Sequence, residues 1–258
     1  MKVSVITVCF NPGPALADCV ASVRRQDYPN VEHWIVDGGS TDGTVARLEQ
    51  LAAEDDKLRW VSEPDEGLYD AINKGLARAS GDVVGLLHAD DFYASHDVIS
   101  DVMEAMADPA VDACYADLMY VDAEDTTIVK RNWKSEPFRP GMFLNGWLPP
   151  HPTFYARKRV YEELGSFDTQ FRIGADWDLL LRFMEVHQIR TRYVPHTWVK
   201  MRVGGVSNRS LKNMWHNHQE CLRAFKKYGI KPKPWFVVTK YLHRLKTVLR
   251  GRATGTSP

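Results

Sequence analysis

Residues 82–93 read Asp-Val-Val-Gly-Leu-Leu-His-Ala-Asp-Asp-Phe-Tyr, a short apolar run that ends in two adjacent carboxylates, Asp90 and Asp91. A strand emerging from a sheet gains nothing from two like charges at its end unless a cation neutralises them. Oxygen ligands without clustered His or Cys suit Mg2+ or Mn2+ rather than zinc, and such ions are typically held by one or two carboxylates plus substrate phosphates. The plainer alternative is that Asp90 caps a helix beginning near Ser95. A second chemical turn is Asp37-Gly38-Gly39-Ser40-Thr41-Asp42-Gly43-Thr44. It fails the dinucleotide fingerprint, because Gly38 and Gly39 are adjacent and the turn does not follow the first strand, and no glycine-rich phosphate loop ending in Lys-Ser or Lys-Thr occurs. A carboxylate at Asp37 suits the imide N–H of a nucleotide base, which requires an acceptor. An ordinary Asp-Gly turn fits the same residues.

The elements that must position these groups alternate. Residues 2–10 form a β-branched, apolar run broken by Asn11-Pro12-Gly13-Pro14, and residues 15–25 have helical periodicity. His33-Trp34-Ile35-Val36 predicts a second strand before the 37–44 turn, and residues 45–54 a helix with Thr41 or Asp42 as N-cap. Residues 58–62 predict a third strand, 69–79 an amphipathic helix stopped by Ser80-Gly81, and 83–87 a fourth strand. Such alternation implies an α/β fold with a mostly parallel, doubly covered sheet. Ligands then bind beyond the carboxyl ends of the strands. Asn11, Asp37, Asp65 and the Asp90/Asp91 pair follow four successive strands, so four strand ends would deliver polar groups to one crevice. Each alone is an ordinary turn former, but their convergence points to a ligand. Further on, residues 113–121 and 130–133 predict strands, 138–152 an aromatic, Pro- and Gly-rich loop, and 160–164 and 176–186 helices.

Net charge is zero but unevenly spread. Residues 208–258 hold 12 of the 33 basic residues and one of the 33 acidic ones, Glu220, which leaves 21 basic against 32 acidic residues in the body. A basic tail seeks an anionic surface: a phospholipid leaflet, nucleic acid or the acidic body itself. Trp235-Phe236-Val237-Val238, Tyr241-Leu242, Leu245 and Val248-Leu249 recur at helical spacing, with Lys240, Arg244, Lys246 and Arg250 between them. That is an interfacial amphipathic pattern, and equally that of a helix packed on the domain. Nucleic-acid binding is not expected, since no recognised module accompanies the charge. The four cysteines are scattered without metal or disulfide spacing, no signal peptide precedes the first strand, and no apolar run approaches a membrane span. A cytoplasmic protein is expected, peripheral on the inner membrane face if the tail docks there.

Several motifs occur in an order that resembles the family 2 glycosyltransferases, inverting enzymes of the GT-A fold, over roughly residues 3–207. Ile6-Thr7-Val8-Cys9-Phe10-Asn11 resembles the family's opening strand and loop, residues 36–44 its base-reading turn, and residues 82–91 its metal motif. Ser62-Glu63-Pro64-Asp65-Glu66-Gly67-Leu68-Tyr69-Asp70-Ala71-Ile72-Asn73-Lys74-Gly75 and Gly204-Gly205-Val206-Ser207 resemble a narrower branch seen in bacterial exopolysaccharide and O-antigen clusters. The resemblance implies a Rossmann-like GT-A domain over residues 1–207, with a nucleotide-sugar-binding half over 1–111, an acceptor half over 112–207 and a helical tail over 208–258. It implies that Thr7 and Asn11 line the donor pocket, Asp37 holds the base, Asp65 helps hold the nucleoside, and Asp90 and Asp91 bind the ribose and a Mn2+ or Mg2+ ion. His88 stands where the usual Asp-x-Asp pattern has its first acid.

An inverting transferase needs a base for the acceptor hydroxyl and a partner for the leaving diphosphate. Gly174-Ala175-Asp176-Trp177-Asp178 resembles the family's acidic motif, with Asp176 at the catalytic position and Ala175 where Glu is frequent. On a helix Asp176 and Asp178 point about 200° apart, so one of them faces the crevice. Asp178 is expected to pair with Arg182 at i+4, leaving Asp176 for chemistry. His151 and Trp147 are candidate acceptor contacts, through hydroxyl hydrogen bonding and ring stacking. The expected activity is transfer of a sugar from a nucleotide donor, a UDP-sugar, to a hydroxyl of a growing lipid-linked glycan. The alternatives are a sugar-phosphate nucleotidyltransferase, disfavoured by the missing basic glycine-rich N-terminal loop, and a non-catalytic scaffold of glycan assembly.

Overall fold

The computed structural model describes residues 1–204, 211–236 and 238–240. Its first half is the expected alternation: β1 (Val3–Cys9), α1 (Ala15–Arg24), β2 (Val31–Asp37), α2 (Thr44–Glu54), β3 (Leu58–Ser62), α3 (Leu68–Arg78) and β4 (Val83–Leu86). β5 (Phe92–Tyr93), α4 (Val98–Ala105), β6 (Ala113–Val121), β7 (Val129–Trp133), β8 (Tyr155–Arg157), α5 (Lys158–Leu164), α6 (Ala175–Leu180), β9 (Thr191–Arg202) and α7 (Leu211–Lys227) follow. Among the described residues one nine-stranded sheet runs β3-β2-β1-β4-β8-β6-β9-β5, with β7 beside β6. β1 lies parallel to both β2 and β4. The chain therefore steps outward from β1 through β2 to β3, then returns to the other side of β1 as β4. The crevice beyond β1 and β4 is the topological switch point at which ligands bind in such sheets.

Every residue of β1 is buried, as a parallel strand covered on both faces requires. Its even positions, Ile6 and Val8, pack with Tyr69, Ile72 and Leu76 of α3, whereas Val3 and Val5 pack with Cys19 and Val23 of α1 and Val102 of α4. This period-2 alternation decides which side chains can reach the crevice.

Two local expectations are corrected. The cap of α2 is Gly43 at φ 86°, not Thr41 or Asp42, and Asp42 serves it from one step back by accepting from the Thr44 N–H at 3.2 Å. The α6 helix widens into π-type turns over Leu181–Val186. Asp178 accordingly does not pair with Arg182. It accepts from Lys227 Nζ at 3.1 Å on both oxygens, while Arg182 donates to the carbonyls of Gly165 and Ser166.

The described front of the basic tail packs on α6. Phe225 and Phe236 are buried, each edge-on to Trp177 of α6, and Lys240 places its Nζ 5.0 Å from the Trp177 ring centre. The amphipathic pattern beyond Lys240, and Gly205-Val206-Ser207, lie outside the described residues.

Candidate functional site

The turn after β2 is organised from within. Asp37 is fully buried and accepts from the Gly39 N–H at 3.2 Å, the Ser40 N–H at 2.9 Å, the Ser40 hydroxyl and the Ser62 hydroxyl at 2.7 Å. Burial works to raise its pKa, but the donors on Ser40 and Ser62 outweigh it and hold the carboxyl below its ordinary value. With both oxygens engaged by the protein, Asp37 builds the turn. The group left beside the turn is Asp65. Its Oδ2 occupies the space that a Cβ on Gly38 would need, and its Oδ1 accepts from the Gly67 N–H at 2.8 Å. Gly38 is thus required by the close approach of a carboxylate. Asn11, at φ 47°, joins the turn to β1: its side-chain oxygen accepts from the Thr41 N–H at 2.9 Å and its own N–H donates to Ser40 Oγ at 2.7 Å.

Thr7 does not line this pocket. As an odd position of β1 it faces α1, fully buried, with its hydroxyl 2.9 Å from His33 Nε2 and 3.6 Å from Cys19 Sγ.

The pair after β4 also divides. Asp90 is exposed, whereas Asp91 is fully buried. Asp91 Oδ1 accepts from the Arg202 N–H at 3.1 Å, and Arg202 Nη1 donates to the Asp90 carbonyl at 2.6 Å, so the pair locks the end of β9 to the end of β4. Burial, reinforced by the neighbouring Asp90, raises the Asp91 carboxyl well above its ordinary value. Asp91 is therefore anchored through Oδ1 alone; its Oδ2 is buried without a hydrogen-bond partner. No group of three or more His, Cys, Asp or Glu able to enclose an ion occurs among the described residues. What the protein offers is the open carboxylate of Asp90. That fits a hard divalent ion that takes its remaining oxygens from a diphosphate and water.

Asp176 lies in the first turn of α6, with its side chain 21% exposed. His151 comes from a 3-10 turn, His151–Thr153, pinned to β6 because Thr153 Oγ1 donates to the Ala116 carbonyl and accepts from the Ala116 N–H. His151 Nδ1 lies 3.3 Å from Asp176 Oδ2, and His151 Nε2 lies 3.2 Å from His88 Nε2. Enclosure pushes both imidazoles below the ordinary histidine value, His88 to about 4. Behind Asp176 and His151 a cavity of about 20 Å³ is walled by Leu86, Phe154, Tyr161, Phe167, Leu179 and Leu180. It is too small for a sugar and keeps this flank apolar. Trp147 is not an acceptor contact: it is buried in a cluster with Tyr115, Phe138 and Phe143.

Sequence reasoning missed the residues that fix the loop before Asp176. Tyr69 donates its hydroxyl to the Ile173 carbonyl at 2.6 Å. Glu220 of α7 accepts from three successive backbone N–H groups, of Arg172 at 2.7 Å, Ile173 at 2.9 Å and Gly174 at 2.8 Å. The one signal for Glu220 was its isolation, a single acid in an otherwise basic tail.

Comparison with known proteins places this geometry. The chain matches the Glycosyl transferase family 2 model over residues 4–173. An uncharacterized glycosyltransferase of Mycobacterium tuberculosis is 36% identical over 182 residues, covering 70% of this chain and 68% of that protein. A PGL/p-HBAD biosynthesis glycosyltransferase of Mycobacterium bovis is 29% identical over 216 residues, covering 80% of this chain and 78% of its own length. Among solved structures, S. aureus TarS 1–349 in complex with UDP-GlcNAc superposes with a TM-score of 0.68 at 15% identity, over 99% of this chain and 75% of that one. The mannosyltransferase PcManGT from Pyrobaculum calidifontis, in complex with GDP-Man and Mn2+, superposes with a TM-score of 0.64 at 21% identity, over 100% and 76%. The structural likenesses establish the GT-A scaffold, and the match across most of the sequence establishes descent: the chain belongs to glycosyltransferase family 2.

Proposed function

We propose that the chain transfers a hexosyl group, with inversion, from a nucleotide sugar to a hydroxyl of a growing lipid-linked glycan in cell-surface polysaccharide assembly. The observation that carries this reading is the side-chain path from the end of β4 to the start of α6. His88, two residues before Asp90, adjoins His151, which adjoins Asp176. A base thus stands beside the strand end at which a diphosphate is expected in a sheet of this order.

Asp176 takes the proton of the acceptor hydroxyl. The acceptor oxygen bonds to the anomeric carbon as the bond from that carbon to the diphosphate breaks on the opposite face, so one displacement inverts the centre. Asp65 and the turn carried by Asn11 and Asp37 hold the nucleoside, with Asp65 as the acceptor for a base N–H. Asp90 holds Mn2+ or Mg2+, which when bound neutralises the charge on the leaving diphosphate. The donor is read as a UDP-sugar, the class named in the TarS complex. No helix among the described residues is long and apolar enough to cross a membrane. Exposed Trp215, Trp235 and Val238, together with the lysines around them, support contact with an anionic inner leaflet that carries the acceptor.

The test is a screen of nucleotide sugars with Mn2+, Mg2+ or EDTA, following nucleoside diphosphate release and transfer. One donor is expected to turn over, with loss in EDTA and in Asp90→Ala and Asp176→Asn. Turnover with no donor, or full transfer by both variants, overturns the reading.

A further inference from the structure

A neutral imidazole has one N–H and one bare nitrogen, so each contact between the two rings and Asp176 needs one donor and one acceptor. His151 presents Nδ1 to the Asp176 carboxylate and Nε2 to His88 Nε2. If His151 carried its proton on Nε2, a bare Nδ1 would lie 3.3 Å from a carboxylate oxygen, an acceptor beside an acceptor. With the proton on Nδ1, His151 faces Asp176 as a donor, its bare Nε2 accepts, and His88 supplies the Nε2–H. With both rings neutral, only this arrangement satisfies all three groups, and it assigns the tautomer of both rings.

The turn that carries His151 is unusually fixed. Thr153 closes it onto the β6 backbone with two hydrogen bonds to Ala116, and its hydroxyl lies 2.8 Å from the Pro150 carbonyl. The ring is three-quarters covered, which suits a residue that touches protein and not bulk solvent. Asp176 itself has a short helix behind it and two rotatable bonds, so its backbone anchors at Tyr69 and Glu220 do not by themselves decide which oxygen faces a substrate.

We infer that His151 is a positioning residue for the base: its Nδ1–H, backed by His88, holds Oδ2 of Asp176 and leaves Oδ1 to take the proton of the acceptor hydroxyl. This rests on Asp176 being the base. It replaces the expectation that His151 touches the acceptor, and it gives His88 a role, as the group that fixes the His151 tautomer.

The test uses the full chain with three substitutions. In His151→Asn the side-chain NH2 falls near the former Nδ1, whereas in His151→Gln it falls near the former Nε2. His151→Ala removes both. His151→Ala and His151→Gln are expected to lower kcat by about 10- to 100-fold, the rate equivalent of one lost charge-assisted hydrogen bond, with donor KM unchanged. His151→Asn is expected to recover most of it. A rise in KM with kcat intact in all three variants would make His151 a substrate contact and overturn the inference, as would equal activity of Asn and Gln. Should His151→Ala fail to fold, the Asn and Gln pair still decides. A readout independent of turnover is the 15N spectrum of the His151 ring: Nδ1 protonated and Nε2 bare in the native chain, with that pattern lost in Asp176→Asn. The opposite tautomer overturns the inference even in an active enzyme. The expected tautomer in a chain that turns over no nucleotide sugar would instead overturn the proposed function alone.

Discussion

Glu220 accepts a hydrogen bond at 2.8 Å from the backbone N–H of Gly174, the residue that caps α6 two positions before Asp176. The same carboxylate holds Arg172 and Ile173, and it is 5% exposed. Replacing it by Ala leaves three backbone donors without their acceptor. Glu220→Ala is expected to cost about 2–4 kcal/mol of stability, read by urea unfolding, and to lower kcat at temperatures where the chain remains folded. Glu220→Gln, which keeps one acceptor oxygen, should fall between. Unchanged kcat in folded Glu220→Ala would show that the loop holds its shape without the clamp.

Gly38→Ala is a test of donor recognition away from the reacting atoms. The new Cβ displaces the Asp65 carboxylate, so donor affinity should fall by about 10- to 100-fold, the equivalent of one hydrogen bond to a charged group. Asp65→Asn should lose a similar amount, and the two changes together little more, because they act on one contact. Calorimetric titration of the nucleoside diphosphate measures this. Unchanged affinity in Asp65→Asn would place Asp65 outside the nucleoside site, and additive losses would show that Gly38 does not act through it.

Thr7→Val probes the opposite case, a residue expected in the pocket and found in the core. It leaves His33 Nε2 without its partner in a site where burial depresses the imidazole pKa to about 3. A loss of about 1–3 kcal/mol in stability is expected, with donor affinity untouched. Weaker donor binding in a fully stable Thr7→Val would reinstate Thr7 in the pocket.

Glu32 predicts an acid-dependent loss of stability far from the site. Burial opposes its ionisation, but donors on Lys2, Ser4 and Ser80 prevail and depress its pKa from 4.5 to about 2. A carboxylate with a lowered folded-state pKa contributes stability that is fully present above pH 4.5 and is lost as the pH falls toward 2. Glu32→Gln should therefore be less stable than the native chain at neutral pH, and the gap should close across that window in pH-dependent unfolding curves. A gap that stays constant with pH would contradict the assignment.

The half of the fold that follows a local rule was legible. β1 through β4 and the helices between them announce themselves by period and by turn residues, and the observed bounds lie within two residues of those expected. β9 was not read as a strand, because Pro195 interrupts it. There the ladder to β6 skips from Val194 to Thr197, the bulge a proline needs in a sheet. The site was legible by residue type and less so by orientation. Strand ends deliver Asp37, Asp65 and Asp90 to one edge of the sheet, but a motif does not say whether a carboxylate turns outward or is consumed by its own loop. Asp37 is engaged on both oxygens by its own turn, whereas Asp91 is held on one oxygen by β9. The approach of His88 to His151, 63 residues apart, is set by the sheet order alone, and no local pattern encodes it.

Tyr69 and Glu220 grip the loop before Asp176 from opposite ends of the chain, and Phe236 seals the aromatic stack beneath it. During synthesis Asp176 leaves the ribosome before its second clamp, because Glu220 lies 44 residues behind it on the chain. The loop before Asp176 can therefore be clamped from both sides only after α7 has been made, so that helix sets the shape of a loop laid down 46 to 48 residues earlier.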